Sequence, residues 1–140
     1  EVLDKLGVSY HFTITSAHRT PERTEKLVTE LEKDGCKVFI CAAGMAAHLA
    51  GAVAARTICP VIGIPVSSGN LGGMDALLST VMMPAGFPVG TVALDKSGSR
   101  NAAWLAAQIL ALQDSALAGK IREARKAMAD DVEKAAAGLG

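Results

Sequence analysis

The sequence carries no excess of either charge: 14 basic residues stand against 14 acidic ones. Nucleic-acid and membrane-surface proteins ordinarily show a basic excess or patch, so neither is an expected partner. No apolar run approaches the roughly 20 residues of a membrane-spanning helix. Nor is there a basic start followed by an apolar core and a small-residue cleavage site. The cysteines, Cys36, Cys41 and Cys59, are odd in number and lack metal-ligand spacing. They read as small buried residues of a reducing compartment, so no metal is expected and the expected location is the cytoplasm. Cys41 lies in apolar surroundings that would raise its pKa and leave it inert.

Several catalytic schemes lack their parts. There is no Gly-x-x-x-x-Gly-Lys loop for ATP and no dinucleotide fingerprint. No paired carboxylates bracket a cleft as in a glycosidase, and Ser68 has no nucleophile-elbow context. What remains is a chain of 140 residues, 50% apolar, long enough for one domain and short for two.

Its periodicity alternates strand and helix. Glu1 to Gly7 reads as the end of an amphipathic helix closed by a glycine cap, so the expectation is that something lies upstream. Ser9 to Thr15 alternates like a strand, and Thr20-Pro21 starts a helix with Thr as cap and Pro at the first helical position. Lys37 to Ala43 reads as a strand covered on both faces, and Gly44 to Thr57 as a helix apolar all round. Then follow a strand at 61–66, a Gly-rich loop at 67–73, a helix at 76–82 with Asp75 as cap, and a strand at 89–94. Asp95 to Ser99 reads as a polar turn before a helix at 101–112, and a charged helix runs from about 115 to 137. This rhythm predicts an α/β fold, an open parallel sheet with helices on both faces. Such sheets carry their sites outside the carboxyl ends of the strands, and the unusual residues all fall there.

Ser16-Ala17-His18-Arg19-Thr20-Pro21 leads into a helix N-terminus, where unpaired N–H groups and the helix dipole favour an anion. Arg19 adds a fork suited to phosphate, Ser16 a hydroxyl, and His18 a group able to move protons beside that anion. The competing reading pairs Arg19 with a surface carboxylate and leaves His18 solvated. His48 stands on an otherwise apolar helix, where a lone His is more often a hydrogen-bonded core residue. Its place at the sheet's carboxyl edge, among small residues that let a ligand approach the backbone, keeps a functional role open. The loop at 67–73 reads equally as a mobile turn or a cover for substrate, and His11 is assigned no role.

Together these segments resemble the class I purine carboxylase/mutase family. Ser-Ala-His-Arg-Thr-Pro at 16–21 matches one signature. Ala43 to Gly51 resembles a second, with Met45 where the family usually has Gly and Ala50 where it has Pro. Pro60 to Asp75, Met83 to Thr91 and Asn101-Ala102-Ala103 continue the likeness to about residue 113, while Met82 departs from the usual Gln. The resemblance implies a flavodoxin-like, three-layer α/β/α fold with a long C-terminal helix, one domain, and an octamer. It also implies a first strand and a Gly-Ser-x-Ser-Asp loop that this sequence does not contain, the strand lying between 9–15 and 37–43.

The family has two branches. One moves the carboxylate of N5-carboxyaminoimidazole ribonucleotide to carbon 4 of the imidazole in de novo purine synthesis; the other carboxylates aminoimidazole ribonucleotide directly with CO2. The second usually has Lys after the signature His and lacks the Ala-Ala-His stretch, so Arg19 and His48 point to the mutase. The resemblance implies a reaction without cofactor. Arg19 and Ser16 hold the phosphate, and the carbamate loses CO2 in a pocket walled by Ala43, Gly44, Ala46, Ala47, His48 and Leu49. Carbon 4 then attacks the trapped CO2 while His18 shuttles the proton, with His48 as the second catalytic residue, and the Gly-rich loop, whose Ser68 is expected to contact the substrate, keeps water out. The alternatives are the sister carboxylase and a non-catalytic nucleotide-binding or assembly module.

Overall fold

The computed structural model describes residues 1–139. Three parallel strands, β1 (Phe39–Gly44), β2 (Val61–Val66) and β3 (Gly90–Thr91), form one sheet in that order. Six helices surround it: α1 (Val2–Leu6), α2 (Pro21–Lys33), α3 (Leu49–Ala54), α4 (Met74–Val81), α5 (Asp95–Ala111) and α6 (Ser115–Ala137). β1 and β2 pair along their whole length, Phe39 opposite Val61 and Gly44 opposite Val66. β3 pairs only at Gly90 and Thr91, opposite Ile62 and Gly63. The strand expected at 89–94 is shorter in the structure, its ladder with β2 being limited to these two residues; one further bond, Val92 N–H to the Gly63 carbonyl at 3.1 Å, extends it.

The period-two alternation of a strand sorts the core into two faces. Phe39, Cys41 and Val61 pack with Val28 of α2 and with Ala50, Val53 and Ala54 of α3. Ile62 and Ile64 point the other way, onto Ala102 and Ala106 of α5. Helices therefore cover both faces, which is the flavodoxin-like α/β arrangement. Close approach explains Gly63: a Cβ there would lie 2.3 Å from Thr80 Cγ2 of α4. A third cluster, Leu6, Ala107, Leu117 and Ile121, joins α1, α5 and α6. Gly7, at φ 70, caps α1, and Lys120 Nζ of α6 donates to the Leu6 carbonyl at 3.0 Å, where a helix's negative end favours a cation.

Several expected boundaries move. Residues 9–15 form no strand: no other segment offers them a ladder, and Tyr10, Phe12 and Ile14 stand exposed. Arg23 of α2 holds the segment instead, its side chain donating to the Ile14 carbonyl and Thr13 Oγ1. Direct pairing with β1, which would contradict an intervening strand, does not occur among the described residues. The helix expected over 44–57 is confined to Leu49–Ala54, because Gly44 still belongs to β1 and Met45 adopts φ 55. Asp75 lies inside α4, whose cap is Gly73 at φ 88. The supposed polar turn at 95–99 is the first part of α5.

Candidate active site

The carboxyl ends of β1 and β2 open onto three segments: 15–20 before α2, 45–48 before α3, and 67–73 before α4. The first is cross-linked by hydroxyls. Thr20 is the cap of α2, yet its side chain does not cap it. Thr20 Oγ1 instead accepts from Ser16 N–H at 3.0 Å and donates to the Ser16 carbonyl at 3.1 Å, closing the segment on itself. Thr24, one helical turn later and buried, places its Oγ1 2.8 Å from Thr15 Oγ1 and 3.1 Å from the Thr20 carbonyl. Ser16 Oγ accepts the Arg19 N–H at 3.2 Å. His18 and Arg19 project from this frame into solvent, and the Arg19 side chain has neither an ion pair nor a hydrogen bond among the described residues. The surface ion pair considered for Arg19 is thus not formed.

His48 is the cap residue of α3, and its ring lies edge-to-face against that of His18, centroids 5.0 Å apart. Residues 30 positions apart in sequence are thereby brought to one mouth of the sheet. Ala43, Gly44, Ala46, Ala47 and Leu49 flank His48 between the end of β1 and the start of α3; Ala47 is buried, Ala46 exposed, and Leu49 packs against the core cluster that holds Val28 and Val53. The Ala47 N–H donates to the Gly44 carbonyl at 3.0 Å, which folds the turn tightly and puts Met45 in the left-handed region. Across the gap, the Ser68 hydroxyl rests against Gly44: a Cβ on Gly44 would overlap Ser68 Oγ. Ser68 thus reaches the same mouth as the two histidines' loops. His11 is exposed and lies away from these contacts.

Two features were not read from the sequence. Thr24 is one; the Thr20–Thr24 spacing, four residues on a helix, was the available signal, since a helical Thr readily bonds the carbonyl four residues back. The other is Asp95, whose carboxylate accepts the Ser67 N–H at 2.9 Å and the Ser67 hydroxyl at 2.5 Å. These two bonds hold the Asp95 carboxyl below its ordinary value. A group depressed on folding contributes at neutral pH, and its contribution is lost only as pH falls through that lowered value. Burial acts oppositely on Cys41, pushing its thiol up to about 12, so it is no nucleophile at neutral pH.

The AIR carboxylase family model matches residues 1–131. An N5-carboxyaminoimidazole ribonucleotide mutase of Escherichia coli (strain K12) is 48% identical over 132 residues, covering 94% of this chain and 78% of that protein. The mutase of that name from Brucella melitensis is 51% identical over 132 residues, covering 94% of this chain and 82% of that protein. The crystal structure of Treponema denticola PurE superposes with a TM-score of 0.89 at 29% identity, over 99% of this chain and 85% of that one. The match over nearly the whole chain, in sequence and in fold, means that this protein belongs to the AIR carboxylase family.

Proposed function

We propose that this chain is an N5-carboxyaminoimidazole ribonucleotide mutase, an isomerase of purine biosynthesis acting as one domain. The observation that carries the reading is the contact of His18 with His48 at the sheet's carboxyl edge, beside an uncommitted Arg19. The curated relatives with about half their aligned residues identical support the same activity.

In this reading Arg19 and Ser16 take the substrate phosphate, the fixed charge of Arg19 supplying a two-pronged contact. The N-carboxylate leaves as CO2 against the small walls of Ala43, Gly44, Ala46, Ala47 and Leu49. Carbon 4 of the aminoimidazole attacks that CO2, and the proton displaced from carbon 4 passes to the ring nitrogen of His18, which returns one to the exocyclic nitrogen. His48, edge-on to His18, holds its ring in position and closes the pocket. The Ser68 loop keeps water from the CO2, whose escape would end the reaction. No cofactor takes part, because the electron-rich imidazole itself stabilises the charge that develops.

The active form in this reading is a homo-oligomer, with an octamer as the assembly. Only Leu117 and Ile121 of α6 are buried; beyond them Met128 and Val132 are exposed apolar residues on a helix that leaves the body. A second copy would cover them, and sedimentation or light scattering of the purified protein measures the mass. The free thiols of Cys36, Cys41 and Cys59 support a reducing, cytoplasmic setting.

The test offers the protein N5-carboxyaminoimidazole ribonucleotide, and in parallel aminoimidazole ribonucleotide with bicarbonate. Turnover of only the first supports the mutase. Efficient turnover of the second near physiological CO2 makes it the carboxylase, and turnover of neither, with ribonucleotide still bound, makes it a binding module.

A further inference from the structure

The Gly-rich loop is closed at its neck. Gly73, at φ 88, packs so tightly that a Cβ there would lie 2.4 Å from Leu94 Cδ2 and 3.2 Å from Ser67 Cβ. The end of the loop therefore folds back onto its beginning, and both meet the segment that leaves β3. At that meeting point stands Asp95, the second non-glycine residue with positive φ among those described, at φ 54. A side chain in the left-handed region carries a backbone cost, and such residues persist where surrounding contacts hold them. Here the contacts are the two bonds to Ser67, one to its backbone and one to its hydroxyl. The residue after Ser67 is Ser68, whose hydroxyl lies against Gly44 at the mouth of the site.

We infer that Asp95 is a positioning residue: by clamping Ser67 at the loop's neck it sets Ser68 against Gly44 and holds the loop of residues 68–73 over the site. The clamp ties the ends of β2 and β3 together just where the loop departs, so loop placement depends on a carboxylate that does not itself touch the substrate. The inference rests on the functional reading above for its kinetic consequence, while its structural consequence stands apart from it.

Asp95→Gly keeps the positive φ available and removes the carboxylate, so backbone strain is relieved while the clamp is lost. Asp95→Asn tolerates the left-handed conformation, keeps an oxygen for the Ser67 N–H and turns its amide to the Ser67 hydroxyl. Amide hydrogen exchange at Ser67, whose N–H the carboxylate accepts, is the first measurement, on the full chain. Asp95→Gly is expected to speed it by about tenfold or more with the sheet's protection unchanged, and Asp95→Asn to restore most of the protection. Kinetics are the second: KM should rise several-fold in Asp95→Gly with kcat falling less, and recover in Asp95→Asn. Unchanged exchange at Ser67 in Asp95→Gly overturns the clamp. Faster exchange with unchanged KM and kcat in an active enzyme overturns its role in the site. Faster exchange in a protein whose unsubstituted form turns over neither substrate leaves the clamp standing and removes the mutase reading instead.

Discussion

Residues 15–20 and residues 67–73 lead into helices at the same edge of the sheet, and they are held in opposite ways. The first loop is bonded internally: Thr15, Ser16, Thr20 and Thr24 form a short mesh of hydroxyl and backbone bonds, with Thr24 fully inside. The second is glycine-rich, exposed along 67–72, and fastened at its neck by Asp95 and the close packing of Gly73. A group that must meet a reacting atom within a fraction of an ångström belongs on the first kind of frame; a cover that must open for the substrate belongs on the second. In the proposed reading, the histidine that moves the proton sits on the rigid loop and the cover on the tethered one.

Substitutions can break that comparison. The largest effect is expected from His18→Asn, which removes the proposed proton carrier while leaving the hydroxyl mesh intact. Turnover should fall by about 10²–10⁴-fold with ribonucleotide binding largely kept, as measured by steady-state kinetics and calorimetry. A near-normal rate would take the proton shuttle away from this loop. Arg19→Ala should raise KM by about ten- to a hundredfold, the loss of a charge-assisted contact to phosphate, with a smaller change in kcat. Thr24→Val probes the mesh itself. It keeps shape but deprives Thr15 of its buried partner, so stability should drop by about 1–3 kcal/mol in denaturant melts, and kcat should fall with it as His18 loosens. If stability falls and kcat holds, the mesh is structural only. The smallest effect is expected at Met45, held at φ 55 in the turn before His48. Met45→Gly relieves the left-handed conformation and should stabilise by up to about 1 kcal/mol, read as a small rise in Tm.

Elements whose cause is local were legible in the chain. Pro21 at the first turn marked α2, the run at 61–66 marked β2 to the residue, and the 115–137 periodicity marked α6. Elements whose cause is a neighbour were not. Residues 9–15 alternate as a strand should, but a strand exists only through its ladder, and none is offered among the described residues. The length of β3 is likewise set by where its ladder with β2 ends, at Gly90 and Thr91. In the site, His18, Arg19 and His48 stood out as polar groups at strand ends. Asp95 did not, because a single aspartate in a Ser/Gly/Lys stretch looks like any turn; its partner is 28 residues away.

The residue types at the sheet's carboxyl edge, the two-faced alternation of the strands and the helix signals were therefore determined by the sequence itself, since they follow from side-chain chemistry and from periods of 2 and 3.6 residues. The tertiary structure decided which of those residues meet. It set the His18 ring against His48, left Arg19 uncommitted and closed Ser67 onto Asp95. The first and last of these are contacts between segments distant in the chain, fixed by how β1, β2 and α5 pack rather than by anything adjacent in sequence.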